Sequence, residues 1–283
     1  MRKPEWLRKQ LVTDPNQALV EKLLAELGLN TVCHEALCPN RLECFAHKTA
    51  TFMILGTACT RNCAFCNVTH GNMAPSPPDP HEPARVAEAV ARLGLRYVVV
   101  TSVTRDDLAD GGAAHFASVI AEIRRTCPNA VVEVLIPDFQ GSMQSLRTVV
   151  EKAPGVVSHN METVSALYDE VRPQARYDRS LKLLASIKKI NPNIKSKTGI
   201  MLGFGETEAQ VMECMDDIRA AGCDILTIGQ YLAPSKNHHP VREYMHPDKF
   251  AFYKSAAEQK GFAYVASAPF VRSSYNAGEA FGV

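Results

Sequence analysis

Three closely spaced cysteines, Cys59, Cys63 and Cys66, form the pattern C-x3-C-x2-C directly after an apolar run at 51–55. Three thiolates on one short loop can ligate three irons of a 4Fe–4S cube, which leaves the fourth iron without a protein ligand. Ferredoxins supply four cysteines to each cluster, whereas catalytic metal sites keep an open position. The missing ligand therefore predicts that a substrate or cofactor binds the fourth iron.

A second cysteine triplet lies upstream, where Cys33, Cys38 and Cys44 form the pattern C-x4-C-x5-C. Six of the nine cysteines thus belong to two tight triplets, which in an intracellular chain is typical of metal binding rather than of disulfides. Zinc is the alternative to iron–sulfur clusters, because zinc ligands often come in C-x2-C pairs. His34 would be the fourth zinc ligand upstream, although its place beside Cys33 makes simultaneous coordination awkward.

Alternating strand and helix patterns surround the downstream triplet. Strands are expected at 51–55, 96–101, 130–135, 156–160, 197–202 and 224–229, with helices near 84–93, 112–126, 142–152, 178–190, 207–221 and 247–260. Such alternation predicts an α/β fold with a parallel sheet buried on both faces. Six units are too few for a closed eight-fold barrel, so a partial barrel fits, and a doubly wound sheet fits almost as well. In either fold the chemistry belongs at the carboxyl ends of the strands, where the cysteine loop follows the first strand.

The remaining segments are predicted to be extensions of this α/β unit. Asp14 as N-cap and Pro15 at the first helical position predict a helix that Gly28 ends. No clear strand or helix pattern surrounds the upstream triplet, and the end of the chain reads as a polar terminus. The expected divisions are an N-terminal extension at 1–48, a central domain at 49–265 and a C-terminal tail at 266–283.

Composition excludes several classes of protein. The 283 residues are 46% hydrophobic and 22% charged with a net charge of +1, which is ordinary for a soluble protein with one sizeable core. The sequence lacks a basic run that would bind nucleic acid, an apolar stretch of roughly 18 residues that would span a membrane, and the apolar core of a signal peptide. We expect a cytoplasmic protein, or a mitochondrial or plastid protein if a transit peptide is missing from this sequence.

The C-x3-C-x2-C loop after a strand resembles that of the radical S-adenosylmethionine (SAM) superfamily, and Phe65 matches the aromatic residue usual before the last cysteine. The resemblance implies a partial (β/α)6 TIM-type barrel with N-terminal and C-terminal extensions. It also implies that the open iron chelates the methionine moiety of SAM, whose cleavage yields a 5′-deoxyadenosyl radical. Cys59, Cys63 and Cys66 are then the ligands of the reducing 4Fe–4S cluster and catalytic residues.

Polar residues follow the expected strands where SAM would lie. Thr101 and Ser102 end the second strand, where the superfamily holds the amino group of SAM, although a polar loop is typical of any βα turn. Asn160 and Glu162 can face the same way toward ribose hydroxyls, and the alternative is a helix N-cap with its first turn. Arg172 could meet a carboxylate bidentately or form a surface ion pair. SAM contacts are expected from all five residues.

A closer resemblance, to the lipoyl synthase family, rests on the upstream triplet together with the closing motif Arg272-Ser-Ser-Tyr275 and covers nearly the whole chain. Further matching segments are 3–8, 33–40, 59–63, 102–108, 159–164 and 228–232. The resemblance implies that Cys33, Cys38 and Cys44 bind an auxiliary 4Fe–4S cluster, which Ser274 completes. Ala268 and Asn276 depart from the Gly and His that are common there, and neither change removes a ligand.

The activity implied by this resemblance is the insertion of two sulfur atoms at carbons 6 and 8 of a protein-bound octanoyl-lysine chain. The auxiliary cluster would be the sulfur source, and Ser274 would act in catalysis by leaving its iron. Implied partners are octanoylated lipoyl-carrier domains (glycine cleavage H protein and 2-oxoacid dehydrogenase acyltransferase subunits) and an electron donor such as ferredoxin or flavodoxin. The alternatives are another two-cluster radical enzyme, such as a methylthiotransferase or a biotin-synthase-like sulfur inserter, and a non-enzymatic iron–sulfur or zinc scaffold.

Overall fold

The computed structural model describes residues 2–9, 13–70 and 75–282, and the predicted extensions and the loop after Cys66 fall partly outside these ranges. Eight strands form one sheet in chain order. They are β1 (Asn30–Thr31), β2 (Thr51–Ile54), β3 (Tyr97–Ser102), β4 (Val131–Leu135), β5 (Val156–Ser158), β6 (Lys195–Leu202), β7 (Ile225–Gln230) and β8 (Tyr264–Ser267). Neighbours from β2 to β8 are parallel, and β1 pairs antiparallel with β2.

Helices connect the parallel strands. The α-helices are α1 (Pro15–Glu26), α2 (Val32–Glu35), α3 (Arg41–Ala46), α4 (Glu82–Leu93), α5 (Ala113–Thr126), α6 (Met143–Val150), α7 (Tyr168–Val171), α8 (Tyr177–Ile190), α9 (Glu208–Ala220) and α10 (Pro247–Gln259). None of the helices in the described parts of the chain has the length and apolar character needed to cross a membrane.

The predicted α/β class and partial barrel are confirmed, and the six predicted strands are all present. The strands follow one another in chain order without a reversal, so the alternative of a doubly wound sheet, which needs a switch point, does not hold. The count of six parallel strands was too low, because β8 is also parallel. The sequence of β8 is Tyr-Val-Ala-Ser, in which valine is the one branched aliphatic residue, so its composition does not mark it as a buried strand.

Local sequence explains why the elements form. Asp14 caps α1 through a reciprocal capping box with Gln17, as the sequence predicts. Val86, Val90 and Leu93 are buried on one face of α4, at helical spacing. Gly94 then ends α4 in the left-handed conformation (φ +67°), which favours glycine.

The upstream triplet was expected on a loop-rich segment, but two short helices, α2 and α3, carry it. Thr31 caps α2 by accepting a hydrogen bond from the His34 N–H, 3.3 Å away. Helices of four and six residues are too short to show an amphipathic period, so the sequence pattern does not reveal them.

Candidate active site

A cavity of about 460 Å³ lies at the carboxyl ends of the parallel strands. Residues at the ends of β3, β4, β5 and β7 line it, together with residues of α2 and of the C-terminal tail. Five cysteines from both triplets are among the lining residues: Cys33, Cys38, Cys59, Cys63 and Cys66. Both predicted cysteine loops therefore open on one space, and all nine cysteines of the chain are free thiols.

The downstream triplet lies on a loop that backbone hydrogen bonds hold at both ends. The Cys59 N–H donates to the Thr69 carbonyl at 2.8 Å, and the Ala64 N–H donates to the Val171 carbonyl at 2.9 Å. The Thr104 N–H points at the Cys59 sulfur at 3.3 Å. Such a donor stabilises a thiolate more than a neutral thiol, so the loop suits a cysteine that binds iron.

Burial changes the pKa of two thiols of this loop. It raises the pKa of the Cys66 thiol to about 12 and raises the pKa of Cys63 as well. These thiols are therefore protonated at neutral pH without a metal, and cluster binding has to displace their protons. The residues fit a cationic iron site, because a buried thiolate needs positive charge beside it.

Two buried charged side chains hold the turn that leads into this loop. Leu55, at the end of β2, has a left-handed backbone (φ +68°), which costs roughly 1–2 kcal/mol for a residue with a side chain. Its N–H donates to Glu82 Oε2 at 2.9 Å, and its carbonyl accepts from Arg105 Nη1 at 3.2 Å. Glu82 is paired with His115 at 2.7 Å and Arg105 with Asp107 at 2.8 Å. We call the two bonds from Glu82 and Arg105 to the Leu55 backbone the clamp. The clamp offsets the strain next to the cysteine loop.

Arg61, inside the cysteine loop, forms a buried ion-pair network. Its guanidinium contacts Asp106 at 2.6 Å and Asp138 at 2.5 Å. Burial alone would raise the pKa of Asp138, but the bonds and charge of Arg61 outweigh it and lower that pKa to about 2. The network ties the cysteine loop to the segments that follow β3 and β4.

The histidine pair after β7 supports the loop from the other side. The N–H of His239 donates to the Ala64 carbonyl at 2.8 Å, and its ring is 2.9 Å from Glu170 Oε1. The ring of His238 lies 3.2 Å from the Cys66 carbonyl oxygen. Both histidines thus contact backbone of the cysteine loop.

The five residues expected to contact SAM all line the cavity: Thr101, Ser102, Asn160, Glu162 and Arg172. Asn160 Nδ2 donates to Glu162 Oε1 at 3.0 Å, so the two side chains do face the same way. The alternative that Asn160 is a helix N-cap is wrong, because the next helical turn begins only after Val164. Arg172 is not in a surface ion pair: its side chain is buried and donates to the carbonyls of Asn160 and Met161.

Three of these side chains carry buried polar atoms that have no hydrogen-bond partner among the residues the structure describes. They are Ser102 Oγ, Asn160 Oδ1 and Arg172 Nε. Buried polar atoms are normally hydrogen-bonded, so a polar ligand would satisfy this wall. Burial also raises the pKa of Glu162, whose backbone is in the left-handed region (φ +67°). Its N–H and carbonyl are held by Gly199 and Met201 of β6, at 2.9 and 2.8 Å. The set fits an ionic, hydroxyl-bearing molecule such as SAM.

Two thiols of the upstream triplet also reach the cavity: Cys33 from α2 and Cys38 from the segment after it. Burial raises the pKa of Cys33 to about 11 and that of Cys44 to about 12. The Cys38 N–H donates to the Cys33 carbonyl at 3.2 Å, which keeps these two cysteines close. The charges of Cys33 and Cys38 also contribute to the raised pKa of Cys44. Cys44 itself does not line the cavity. In the described ranges no three His, Cys, Asp or Glu side chains are arranged to hold a single metal ion.

The tail brings Ser273 and Ser274 to the same cavity, although composition indicated a solvated terminus. It leaves β8 and runs beside the end of β7, where the Gln230 N–H donates to the Pro269 carbonyl at 3.1 Å. A Cβ on Gly229 would lie 2.1 Å from the Val271 carbonyl oxygen, so this close approach requires glycine. Ser274 thus lines the same cavity as Cys33 and Cys38.

Sequence reasoning missed several charged residues of the site. Arg272 lines the cavity beside the tail serines, although it was noted only as part of a motif. Arg105 was noted only within the matching segment 102–108, and Glu82 was not recognised at all. Glu82 precedes the predicted helix at 84–93, and its partners Leu55 and His115 are distant in sequence.

An open parallel barrel with three free thiols at its carboxyl edge and unpaired polar atoms beside them defines the radical SAM class. The profile of the radical SAM superfamily matches residues 53–243, and the chain belongs to that superfamily. Two solved structures share the fold at low sequence identity. Streptococcus suis SuiB bound to S-adenosylmethionine has a TM-score of 0.60 and 13% identity, covering 80% of this chain and 53% of that protein. Methylornithine synthase (PylB) has a TM-score of 0.55 and 12% identity, covering 94% and 85%.

More similar relatives identify the family within this superfamily to which the chain belongs. The lipoyl synthase of Alkaliphilus metalliredigens (strain QYMF) is 55% identical over 279 residues, which cover 99% of this chain and 96% of the relative. That of Geobacter metallireducens (strain ATCC 53774 / DSM 7210 / GS-15) is 54% identical over 277 residues, covering 98% and 96%. The chain belongs to the lipoyl synthase family. It is a radical SAM enzyme, and this membership implies an iron–sulfur cluster and SAM as cofactors.

Proposed function

We propose that this protein is a lipoyl synthase that inserts two sulfur atoms at carbons 6 and 8 of a protein-bound octanoyl-lysine chain. One observation carries the proposal: thiols of both triplets and Ser274 line a single cavity. A radical made on one side can therefore reach a substrate that also touches the sulfur source on the other side. The full-length similarity to lipoyl synthases supports the same assignment.

In this proposal Cys59, Cys63 and Cys66 hold the reducing 4Fe–4S cluster. Once reduced and with SAM bound, this group would supply the electron for cleavage of SAM, which provides a carbon-centred radical able to remove hydrogen from an unactivated carbon. The protein's contribution is binding and orientation. Asn160 and Glu162 would accept and donate hydrogen bonds to ribose hydroxyls.

The remaining expected contacts would hold the methionine end of SAM. Arg172 Nε has no protein partner and is free to donate to a carboxylate. The strand end at Thr101 and Ser102 offers backbone carbonyls and an unpaired hydroxyl to the amino group. Together these contacts fix the reacting atoms, and proximity of this kind sets regiochemistry for an otherwise unselective radical.

Cys33, Cys38, Cys44 and Ser274 would hold a second 4Fe–4S cluster as the sulfur donor. A serine oxygen is a harder ligand than a thiolate and a less favoured partner for cluster iron. Ser274 can therefore release its iron more readily than a fourth cysteine would. The domain divisions proposed from sequence follow this assignment, with an extension at 1–48 and a tail at 266–283 completing one site on the domain at 49–265.

The partners follow from the same proposal. Lipoyl synthases act on octanoylated carrier proteins, and we infer the glycine cleavage H protein and 2-oxoacid dehydrogenase acyltransferase subunits as carriers. A low-potential protein such as ferredoxin or flavodoxin would supply electrons. We further infer a cytoplasmic location.

Anaerobic turnover tests the proposal. The reconstituted protein is incubated with dithionite, SAM and an octanoyl-lysine peptide, while iron and acid-labile sulfide are counted per chain. We expect two clusters per chain, and two deoxyadenosines for each dithiolated peptide. Deoxyadenosine without sulfur gain would favour another radical enzyme, and zinc or a single cluster without SAM cleavage would favour a scaffold.

A further inference from the structure

The C-terminal tail is tied to the N-terminal extension by a small polar network outside the cavity. The Tyr275 hydroxyl donates to Glu43 Oε1 at 2.6 Å. The Lys9 ammonium contacts the other carboxylate oxygen of Glu43 and donates to Asn40 Oδ1 at 2.6 Å. The amide of Asn40 in turn donates to the carbonyl of Phe270 at 2.7 Å. We call Lys9, Asn40, Glu43 and Tyr275 the tail latch.

Aromatic contacts strengthen the latch. The Lys9 ammonium lies 5.1 Å from the centre of the Phe270 ring and 5.6 Å from that of Tyr275, within the range of cation–π attraction. Asn40 is 1% exposed, so both of its hydrogen bonds are protected from water. One ammonium thus contacts two tail rings and two side chains of the extension.

Two latch residues are direct sequence neighbours of proposed cluster ligands. Tyr275 directly follows Ser274, and Glu43 directly precedes Cys44. Their hydrogen bond therefore joins the immediate neighbours of two side chains that the proposed function assigns to one cluster. No covalent link joins the tail to the extension, since every cysteine is a free thiol.

We propose that Lys9, Glu43 and Tyr275 are positioning residues that hold the tail on the extension, so that Ser274 stays beside the upstream cysteines. This inference rests on the proposed function, because it assigns Ser274 to the auxiliary cluster. The latch residues do not touch the reacting atoms. Their effect is to raise the local concentration of the Ser274 oxygen at the iron of the auxiliary cluster that no cysteine binds.

The tyrosine hydroxyls of the chain offer a matched comparison. Tyr264 also donates through its hydroxyl to a carboxylate of the tail, Glu279 Oε2, at 3.0 Å. Tyr275→Phe and Tyr264→Phe therefore remove the same kind of bond from the same tail, but only the first lies beside Ser274. Glu43→Ala is a second latch variant, which removes the acceptor and leaves Tyr275 in place.

The experiment uses the full-length protein with its clusters reconstituted anaerobically. Two readouts are measured: hydrogen exchange of tail peptides covering 268–276, and the Mössbauer signal of the oxygen-bound iron. A hydrogen bond to a charged group is worth about a tenfold change in an opening equilibrium. Tyr275→Phe and Glu43→Ala should therefore speed tail exchange by about tenfold and diminish the oxygen-bound iron signal. Tyr264→Phe should leave that iron signal unchanged.

The outcomes separate the two hypotheses. If wild-type protein binds a single cluster, the proposed function fails. If wild-type protein binds two clusters and inserts sulfur, but Tyr275→Phe and Glu43→Ala match Tyr264→Phe in both readouts, the latch fails alone. Loss of cluster iron in Tyr275→Phe at an unchanged thermal unfolding midpoint supports positioning rather than a general loss of stability.

Discussion

Replacement of Gly229 by alanine should disable sulfur insertion while sparing SAM cleavage. Gly229 lies in β7, and an added Cβ would stand 2.1 Å from the Val271 carbonyl oxygen and 3.3 Å from Arg272 Nη1. Ordinary contact begins at 3.4 Å, so the tail backbone must withdraw by 1.3 Å. Overpacking of this kind costs about 1–3 kcal/mol. Because Val271 lies three residues before Ser274, the displacement falls on the serine.

The assay counts iron per chain and the products of a single turnover. Gly229→Ala should hold about four irons rather than about eight, since one of two cubes is lost. Deoxyadenosine should still form, because the atoms nearest the added Cβ belong to Val271 and Arg272 rather than to the three downstream cysteines. Dithiolated peptide should fall at least tenfold.

A control variant separates the tail from general destabilisation. Gly222 has φ +78° and no atom within 4 Å of an added Cβ. Alanine at position 222 costs about 1–2 kcal/mol of backbone strain, which is comparable to the cost of Gly229→Ala. The added methyl group contacts nothing near the cavity. Equal loss of sulfur insertion in Gly222→Ala, or full iron and activity in Gly229→Ala, would refute the reasoning.

Three further perturbations have defined outcomes. Ser274→Cys should keep both clusters but slow sulfur insertion, because a thiolate leaves iron less readily; unchanged turnover argues against serine release. Arg105→Met leaves the Leu55 carbonyl unpaired at a cost of about 1–3 kcal/mol. The iron content of the reducing cluster and the formation of deoxyadenosine should therefore both decrease. Normal values of both quantities would contradict a role for the clamp in holding the cysteine loop. Burial lowers the pKa of His159 to about 4, so its contribution to stability is complete above its ordinary pKa and disappears as the pH falls from 6.5 toward 4. A fall in pH from 6.5 to 4 should therefore lower the free energy of unfolding by about 3 kcal/mol, as measured by urea denaturation. His159→Gln should flatten this dependence of the unfolding free energy on pH. An equal pH dependence in both proteins would contradict the role given to His159.

The sequence alone determined the alternation of strands and helices and the carboxyl edge as the place of chemistry. Both follow from local rules, since periodic burial and caps are written into neighbouring residues. The cysteine spacing likewise predicts a three-thiolate loop, because Cys59, Cys63 and Cys66 are close in the chain. Four of the five predicted SAM contacts line the cavity for the same reason: Thr101 and Ser102 end β3, and Asn160 and Glu162 directly follow β5. Arg172 reaches the cavity from the residue after α7.

Tertiary structure alone decided which distant segments meet. The strand β8, which the sequence pattern did not indicate, directs the tail back along β7, and the Gly229 contact and the latch hold the tail so that Ser274 lines the same cavity as Cys33. The clamp on Leu55 joins Glu82 and Arg105, which are separated by 23 positions and lie on different elements. Such pairings depend on the closure of long loops rather than on local periodicity. No pattern within a short window contains them, and only the folded chain brings these charges and ligands together.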